Sequence, residues 1–278
     1  MFLLKAKNLT KRFGEQKKAL DTLNLEVQTS RLCFLGQNGS GKTTVLSIIA
    51  GILTPSTGSL DINGIEPYKN RAEALKSSTF LFEKPKLSYR MKVKEFIDFA
   101  RHSPDFGPDF EHMLKQLDLE EFYDERLFKL SSGQEQLITL LSAFSRNTSR
   151  IIADEAFTHI DISRTGNVIN DMYRMNRDLI FSTHVPEEAE TLADYIVILN
   201  NGRAVWNGTI NDLFSSDIFE VYITRGEQIK IECLFRYGGI CLVKSDTKKL
   251  AKLLESGVII GFRKSGVRRI YGQFDNDR

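Results

Sequence analysis

The residues best able to do chemistry come early in the chain, in Gly36-Gln37-Asn38-Gly39-Ser40-Gly41-Lys42-Thr43-Thr44. Glycines at 36, 39 and 41 let consecutive backbone N–H groups turn inward and approach phosphate oxygens closely, and Asn38 and Ser40 complete the loop. Lys42 supplies a point charge for β- and γ-phosphates, the Thr43 hydroxyl suits Mg²⁺, and Thr44 shares the first turn after the loop. A second reactive pair, Asp154-Glu155, follows 112 residues after Lys42, at the end of the apolar run Ile151-Ile152-Ala153. A strand-end Asp beside a phosphate loop can hold Mg²⁺ directly or through water, and the adjoining Glu can polarise an attacking water. A third group, Ser131-Ser132-Gly133-Gln134, precedes the apolar-periodic EQLITLLSAF. That order puts Ser131 or Ser132 at a helix N-cap and offers a second anion site.

These groups need elements to carry them. Leu32-Cys33-Phe34-Leu35 is a short apolar run suited to a buried parallel strand. TTVLSIIAGI after Lys42 is amphipathic and ends at Gly51. Strand, glycine loop and helix in that order define a P-loop, and hence a nucleoside-triphosphatase fold. Later strands at 150–153, 179–182 and 195–199 alternate with helices, so the fold class is α/β. The N-terminal stretch and GSLDING (58–64) read as antiparallel β material, and Asn201-Gly202 marks a hairpin. Residues 84–146, with VKEFIDFAR and FEHMLKQLDL, read as a helical insertion. From Ser215 the pattern changes to FEVYITRG, QIKIECLF, GICLVKS, the helix KKLAKLLES, then VIIGF and RRIYGQF. The domain reading is therefore 1–214 for the phosphate-binding domain and 215–278 for a small C-terminal α+β appendix.

Composition narrows the function classes. With 278 residues, 41% hydrophobic and 27% charged, the chain is an ordinary globular protein, and a net charge of +2 points to no polyanion. Residues 215–278 carry 12 Lys/Arg against 8 Asp/Glu, read as solvated faces rather than a nucleic-acid patch. Three cysteines, Cys33, Cys233 and Cys241, are few and odd in number, which predicts free thiols in a reducing compartment. Neither a signal peptide nor a run of about 18–20 apolar residues is present, so the chain is expected to be soluble.

With these motifs in order, the chain resembles the nucleotide-binding subunit of the ATP-binding cassette (ABC) transporters from about residue 2 to 212. Ser131-Ser132-Gly133-Gln134 resembles the signature motif, which in that family caps the γ-phosphate held by the other subunit of a head-to-tail dimer. Phe181-Ser182-Thr183-His184 resembles the switch-histidine segment, Thr158-His159-Ile160-Asp161 the D-loop, Phe13 the aromatic that stacks on adenine, and Glu83 the Q-loop position. The resemblance implies ATP and Mg²⁺ as ligands, with Thr43, Asp154 and Glu83 near the metal. It gives catalytic roles to Glu155, His184 and Lys42 and a dimer-interface role to Asp161. It also implies integral membrane permease partners, a dimer with itself or a paralogue, no nucleic acid, and a peripheral place on the cytoplasmic face of the membrane. Size and appendix point to exporter subunits.

The departures are Glu83 for the usual Gln, Ser132 for the first signature Gly, Ala156 for Pro, His159 for a small residue, and Arg150 at a normally apolar position. They predict a working but slow ATPase. The rival readings are a soluble ABC ATPase acting on ribosomes or DNA, and an ATP-binding regulatory module without turnover.

Overall fold

The first strand, FLLKAKNLTKRF, alternates buried and solvent-facing residues until Asn8, where the backbone enters the left-handed region (φ +48°) and the pairing register shifts. Asn tolerates that conformation, and its N–H is taken by Asn24 Oδ1 at 2.8 Å. The computed structural model describes residues 1–14, 17–81, 90–103, 105–107, 110–157, 174, 176–215, 217–223 and 232–267.

Chain order begins with β1 (Phe2–Phe13), β2 (Lys17–Thr29), β3 (Arg31–Leu35), α1 (Lys42–Ile49), β4 (Thr57–Ile62), α2 (Arg71–Ser77) and β5 (Ser78–Leu81). The helical insertion follows, with α3 (Val93–His102), α4 (Phe110–Leu117), two short 3₁₀ turns and α5 (Ser132–Phe144). Then come β6 (Arg150–Asp154), β7 (Asp178–Thr183), α6 (Pro186–Leu192), β8 (Tyr195–Asn200), β9 (Arg203–Thr209) and α7 (Ile210–Phe214). The chain continues with β10 (Ile218–Tyr222), β11 (Phe235–Tyr237), β12 (Ile240–Lys244), α8 (Thr247–Glu255) and β13 (Gly261–Lys264).

Two compact units result, residues 1–207 and 208–278; the boundary read from composition, 214/215, falls after α7. In the first unit β2-β1-β4 form an antiparallel sheet, and β5-β6-β7-β3-β8-β9 form a six-stranded sheet. The pairs β5/β6, β6/β7, β7/β3 and β3/β8 are all parallel. Parallel strands buried on both faces need near-continuous apolar runs, which Leu32–Leu35, Ile151–Ala153 and Leu179–Phe181 supply. Helix α1 buries Val45, Leu46, Ile48 and Ile49 against Phe34, Ile152, Ile180 and Val197. Each fully buried aliphatic side chain there adds roughly 1.5–3 kcal/mol of transfer free energy. The hairpin between β8 and β9 turns at Asn201 and Gly202, both at positive φ (+48° and +77°).

Arg150, read as out of place, is only 9% exposed. Its guanidinium lies over the Phe2 ring (5.2 Å to the centroid) with Asp178 at 4.0 Å. Burial lowers its pKa, and the Asp178 charge opposes that shift. A flat, weakly hydrated cation that stacks on an aromatic face is tolerated where a Lys would not be.

In the second unit the sheet order is β11-β12-β10-β13, antiparallel throughout. Phe219, Val221, Ile223, Cys241, Val243, Leu250 and Ile259 make its core. Three expectations differ from what the fold holds. Of the strand expected over 228–235, Glu232–Leu234 are not in strand and β11 begins at Phe235, while the strand expected at 258–262 runs Gly261–Lys264; residues 224–231 and the RRIYGQF segment lie outside the described residues. Cys233 and Cys241 are joined as a disulfide rather than being free thiols (Cα–Cα 5.8 Å), leaving Cys33 free and buried. The β11–β12 turn folds Cys233 back beside Cys241, a proximity that a separation of eight residues does not reveal. Among the described residues no helix is long and apolar enough to cross a membrane.

Candidate functional site

The in-register parallel pairing of β3 with β7 (Leu35 opposite Thr183) and of β6 with β7 (Asp154 opposite Ser182) delivers three strand ends to one edge of the sheet. From that edge leave the glycine loop, Asp154-Glu155 and Thr183-His184. Ligands of open α/β sheets bind in this position, outside the carboxyl ends of the strands.

The loop is held by backbone bonds. Gly36 N–H donates to Thr183 O (3.3 Å), Ser40 N–H to Gln37 O (3.1 Å) and Gly202 N–H to Ser40 O (3.0 Å). Two glycines are obligatory for steric reasons. Gly41 has φ +108°, and a Cβ there would lie 2.6 Å from Ala19 O; at Gly36 it would lie 2.6 Å from Leu199 O. Gly41 caps α1 without a side-chain hydrogen bond, so the first turn, with Lys42, Thr43 and Thr44, offers its N–H groups to an anion. Gln37, Asn38 and Gly39 are exposed around this opening, as is Thr43, while Thr44 is half-buried. Ser40 Oγ is buried with no hydrogen-bond partner among the described residues.

Lys42 is 4% exposed, and its Nζ meets Gly36 O (2.8 Å), Gln37 O (3.1 Å) and Glu155 Oε1 (3.0 Å). The other Glu155 oxygen reaches His184 Nδ1 at 3.1 Å. The three expected catalytic residues are thus a connected set: ammonium, carboxylate, imidazole. His184 is 43% exposed, so its outer edge faces solvent. Its turn is braced from behind, because Thr183 Oγ1 donates to Glu188 Oε2 (2.5 Å) and accepts from Val185 N–H (3.0 Å). Asp154, 4% exposed, accepts from Ser182 Oγ at 2.5 Å.

The donor set fits the expected ligands. A triphosphate finds a buried ammonium, uncapped helix N–H groups and an unpartnered hydroxyl. The Thr43 hydroxyl and Asp154 carboxylate are the hard oxygen donors that Mg²⁺ prefers. Among the described residues no cluster of three or more His, Cys, Asp or Glu could hold a metal.

The remaining expected residues lie elsewhere. Ser131, not Ser132, is the N-cap of α5: its Oγ accepts from Gln134 N–H (3.3 Å) and Gln134 Oε1 accepts from Ser131 N–H (2.9 Å). Ser131 and Ser132 are exposed, and Gly133 is half-buried, so this helix start faces outward. Phe13 ends β1 with 47% exposure and Lys11 Nζ 5.3 Å from its ring centroid. Glu83, Thr158, His159 and Asp161 lie outside the described residues.

Sequence reasoning missed three supports: Ser182, Glu188, and Gln136, whose Nε2 donates to Ala156 O at 2.6 Å. For Gln136 the available signal was a polar residue on the apolar face of α5. For Ser182 it was a hydroxyl breaking an apolar strand two residues before the histidine.

Residues 20–158 match the family model described as ABC transporter. The chain is 30% identical over 239 residues to an uncharacterized ABC transporter ATP-binding protein of Methanocaldococcus jannaschii, covering 82% of this chain and 86% of that protein. It is 31% identical over 228 residues to the spermidine/putrescine import ATP-binding protein PotA of Clostridium acetobutylicum, covering 77% and 63% respectively. A solved ATP binding subunit of an ABC transporter superposes with a TM-score of 0.65 at 25% identity, over 77% of this chain and 92% of that one.

Proposed function

The chain belongs to the ABC transporter family as an ATP-binding subunit, and from that premise we propose how its own residues carry out the ATP hydrolysis that this family couples to transport. The observation that supports the reading most directly is the Glu155 carboxylate, held between Lys42 Nζ (3.0 Å) and His184 Nδ1 (3.1 Å) at the mouth of the glycine loop.

ATP lies with its phosphates against the loop 36–41 and the first turn of α1, where backbone N–H groups and Lys42 take up charge. Phe13 stacks on the adenine. Thr43 and Asp154 would hold Mg²⁺, which would neutralise the developing charge on the phosphates, and the family resemblance assigns Glu83 to the same cation. Glu155 orients and polarises the attacking water, and His184 contacts the γ-phosphate, so closure depends on whether that phosphate is present. All these groups act by position and electrostatics, as phosphoryl transfer requires.

Ser131–Gln134 presents an outward-facing helix start, with Ser132 and Gly133 in its first turn, to the phosphates of a second cassette; the family resemblance assigns Asp161 to that interface. The assembly is a head-to-tail dimer, of this chain or with a paralogue, seated on separate integral membrane subunits at the cytoplasmic face. Closure on ATP drives those subunits, and the second unit serves assembly or regulation. Export rests only on the size of the chain and its appendix. A relative named for spermidine/putrescine import matches 77% of the chain, so import stands beside export as a direction for this chain.

Glu155→Gln tests the reading. Hydrolysis should fall at least about 100-fold, the usual contribution of a positioned general base, while ATP binding persists, because Gln removes the carboxylate that neutralises Lys42. Unchanged turnover would remove Glu155 from its role. ATP binding without phosphate release by the wild-type protein, with its permease present, would favour the regulatory-module reading instead.

A further inference from the structure

Asp154 and Glu155 share one buried partner. Ser182 lies in β7 directly opposite Asp154 in the parallel register, so the two side chains leave the same face of the sheet. Ser182 is fully buried. Its hydroxyl donates to Asp154 Oδ1 at 2.5 Å and accepts from the Glu155 N–H at 3.1 Å. That N–H also reaches Ser182 O at 3.2 Å. A serine hydroxyl has one proton and two lone pairs, so these two bonds are compatible and consistent in direction.

Glu155 needs such support. Its φ of +49° is in the left-handed region, which costs a non-glycine residue roughly 1–2 kcal/mol. A conformation of that kind persists only where its surroundings over-determine it. Serine hydroxyls readily bond backbone groups close by in sequence; Ser182 Oγ instead bonds a carboxylate and an N–H, 28 and 27 residues away, that belong to two residues of the hydrolytic centre.

We infer that Ser182 is a positioning residue that sets the Asp154 carboxylate for the cation and the Glu155 backbone for catalysis. This rests on the roles proposed above for Asp154 and Glu155. Its hydroxyl takes up Oδ1, which fixes the rotation of the carboxylate and leaves Oδ2 as the oxygen it does not engage. The same hydroxyl accepts from the N–H of Glu155, so the carboxylate between Lys42 and His184 and the Asp154 carboxylate are both oriented by a single group. Supports of this kind around metal ligands matter nearly as much as the ligands themselves.

The test is equilibrium binding of a fluorescent ATP analogue to the full chain, with Mg²⁺ and with EDTA, for wild type and for Ser182→Ala, Ser182→Thr, Ser182→Val and Asp154→Asn. Affinity in EDTA should be the same for wild type and Ser182→Ala, while the increment that Mg²⁺ adds should shrink about 10-fold or more in Ser182→Ala. Thr keeps the hydroxyl and should restore the increment, whereas Val, of the same shape, should not. Were Thr to fold poorly at this buried position, Ser182→Ala, which removes a single oxygen, still decides the matter. A wild-type increment in Ser182→Ala alongside a lost one in Asp154→Asn would overturn the inference and leave the site reading intact. A normal increment in Asp154→Asn would instead overturn the metal-ligand reading, and the inference with it. Equal impairment of Thr and Val, with Ala unaffected, would mean that volume rather than the hydroxyl matters, and would also overturn it.

Discussion

Lys42 Nζ has three protons and three oxygens within 3.1 Å, two of them backbone carbonyls of the loop it follows. Its position is therefore set by the loop's fold rather than by side-chain reach. Removing one member of a buried ion pair costs more than the pair contributes, because the other charge stays buried. At the same scale lies Cys33, fully buried in β3, whose thiol pKa is pushed well up by burial, with the Glu188 charge adding to the effect. A thiol held protonated is a poor nucleophile. Iodoacetamide at pH 8 should leave Cys33 unmodified in the folded protein and alkylate it rapidly in denaturant, as read by mass spectrometry. Labelling of the folded form would mean that β3 opens.

Elements meet through a small number of polar ties. Asp21 on β2 accepts from Arg203 Nε (3.0 Å) and Nη2 (2.6 Å) on β9, and from Lys18 Nζ (3.0 Å). The antiparallel sheet is thereby tied to the edge of the six-stranded one. Those bonds, Arg203 foremost, pull the Asp21 carboxyl down to about 2. A folded-state pKa below the unfolded value, near 3.9, stabilises the fold at higher pH, and that contribution is lost as pH falls through about 2. Melting curves between pH 5 and pH 2 should show a steeper loss for wild type than for Asp21→Asn; parallel slopes would mean the tie contributes nothing. The stacking of Arg150 on Phe2 is a second tie of this kind, and it explains why a cation occupies a strand position that normally takes an apolar residue.

At the scale of the whole molecule, each unit has its own apolar core, and Lys42, Asp154, Glu155 and His184 all belong to residues 1–207. The Cys233–Cys241 disulfide closes its loop inside the second unit alone. Loop-closure entropy for a ring of this size is on the order of 2–3 kcal/mol. Reduction should therefore lower the unfolding midpoint of the 208–278 unit while leaving ATP affinity unchanged, measured in parallel by calorimetry and nucleotide titration. Loss of ATP affinity on reduction would contradict that independence. The permease proposal is tested by mild-detergent extraction of native membranes through a tag on this chain. An integral membrane protein should co-purify, with two cassettes per membrane pair. Recovery with ribosomes or DNA instead would support the rival reading.

Much of this was legible from residue order. The glycine loop, the Asp154-Glu155 strand end, the α5 cap and the hairpin at Asn201-Gly202 are local patterns whose backbone needs are met by neighbours in sequence. Tertiary structure alone decided what those patterns touch. It put Glu155 between Lys42 and His184, gave Ser182 its two partners, turned Arg150 onto Phe2 and brought Cys233 to Cys241. Each of these contacts joins groups whose separation along the chain says nothing about distance in space, and parallel strand register or turn geometry converts one into the other. Sequence by itself thus determined which chemistry this chain carries; the folded sheet decided which atoms hold that chemistry in place.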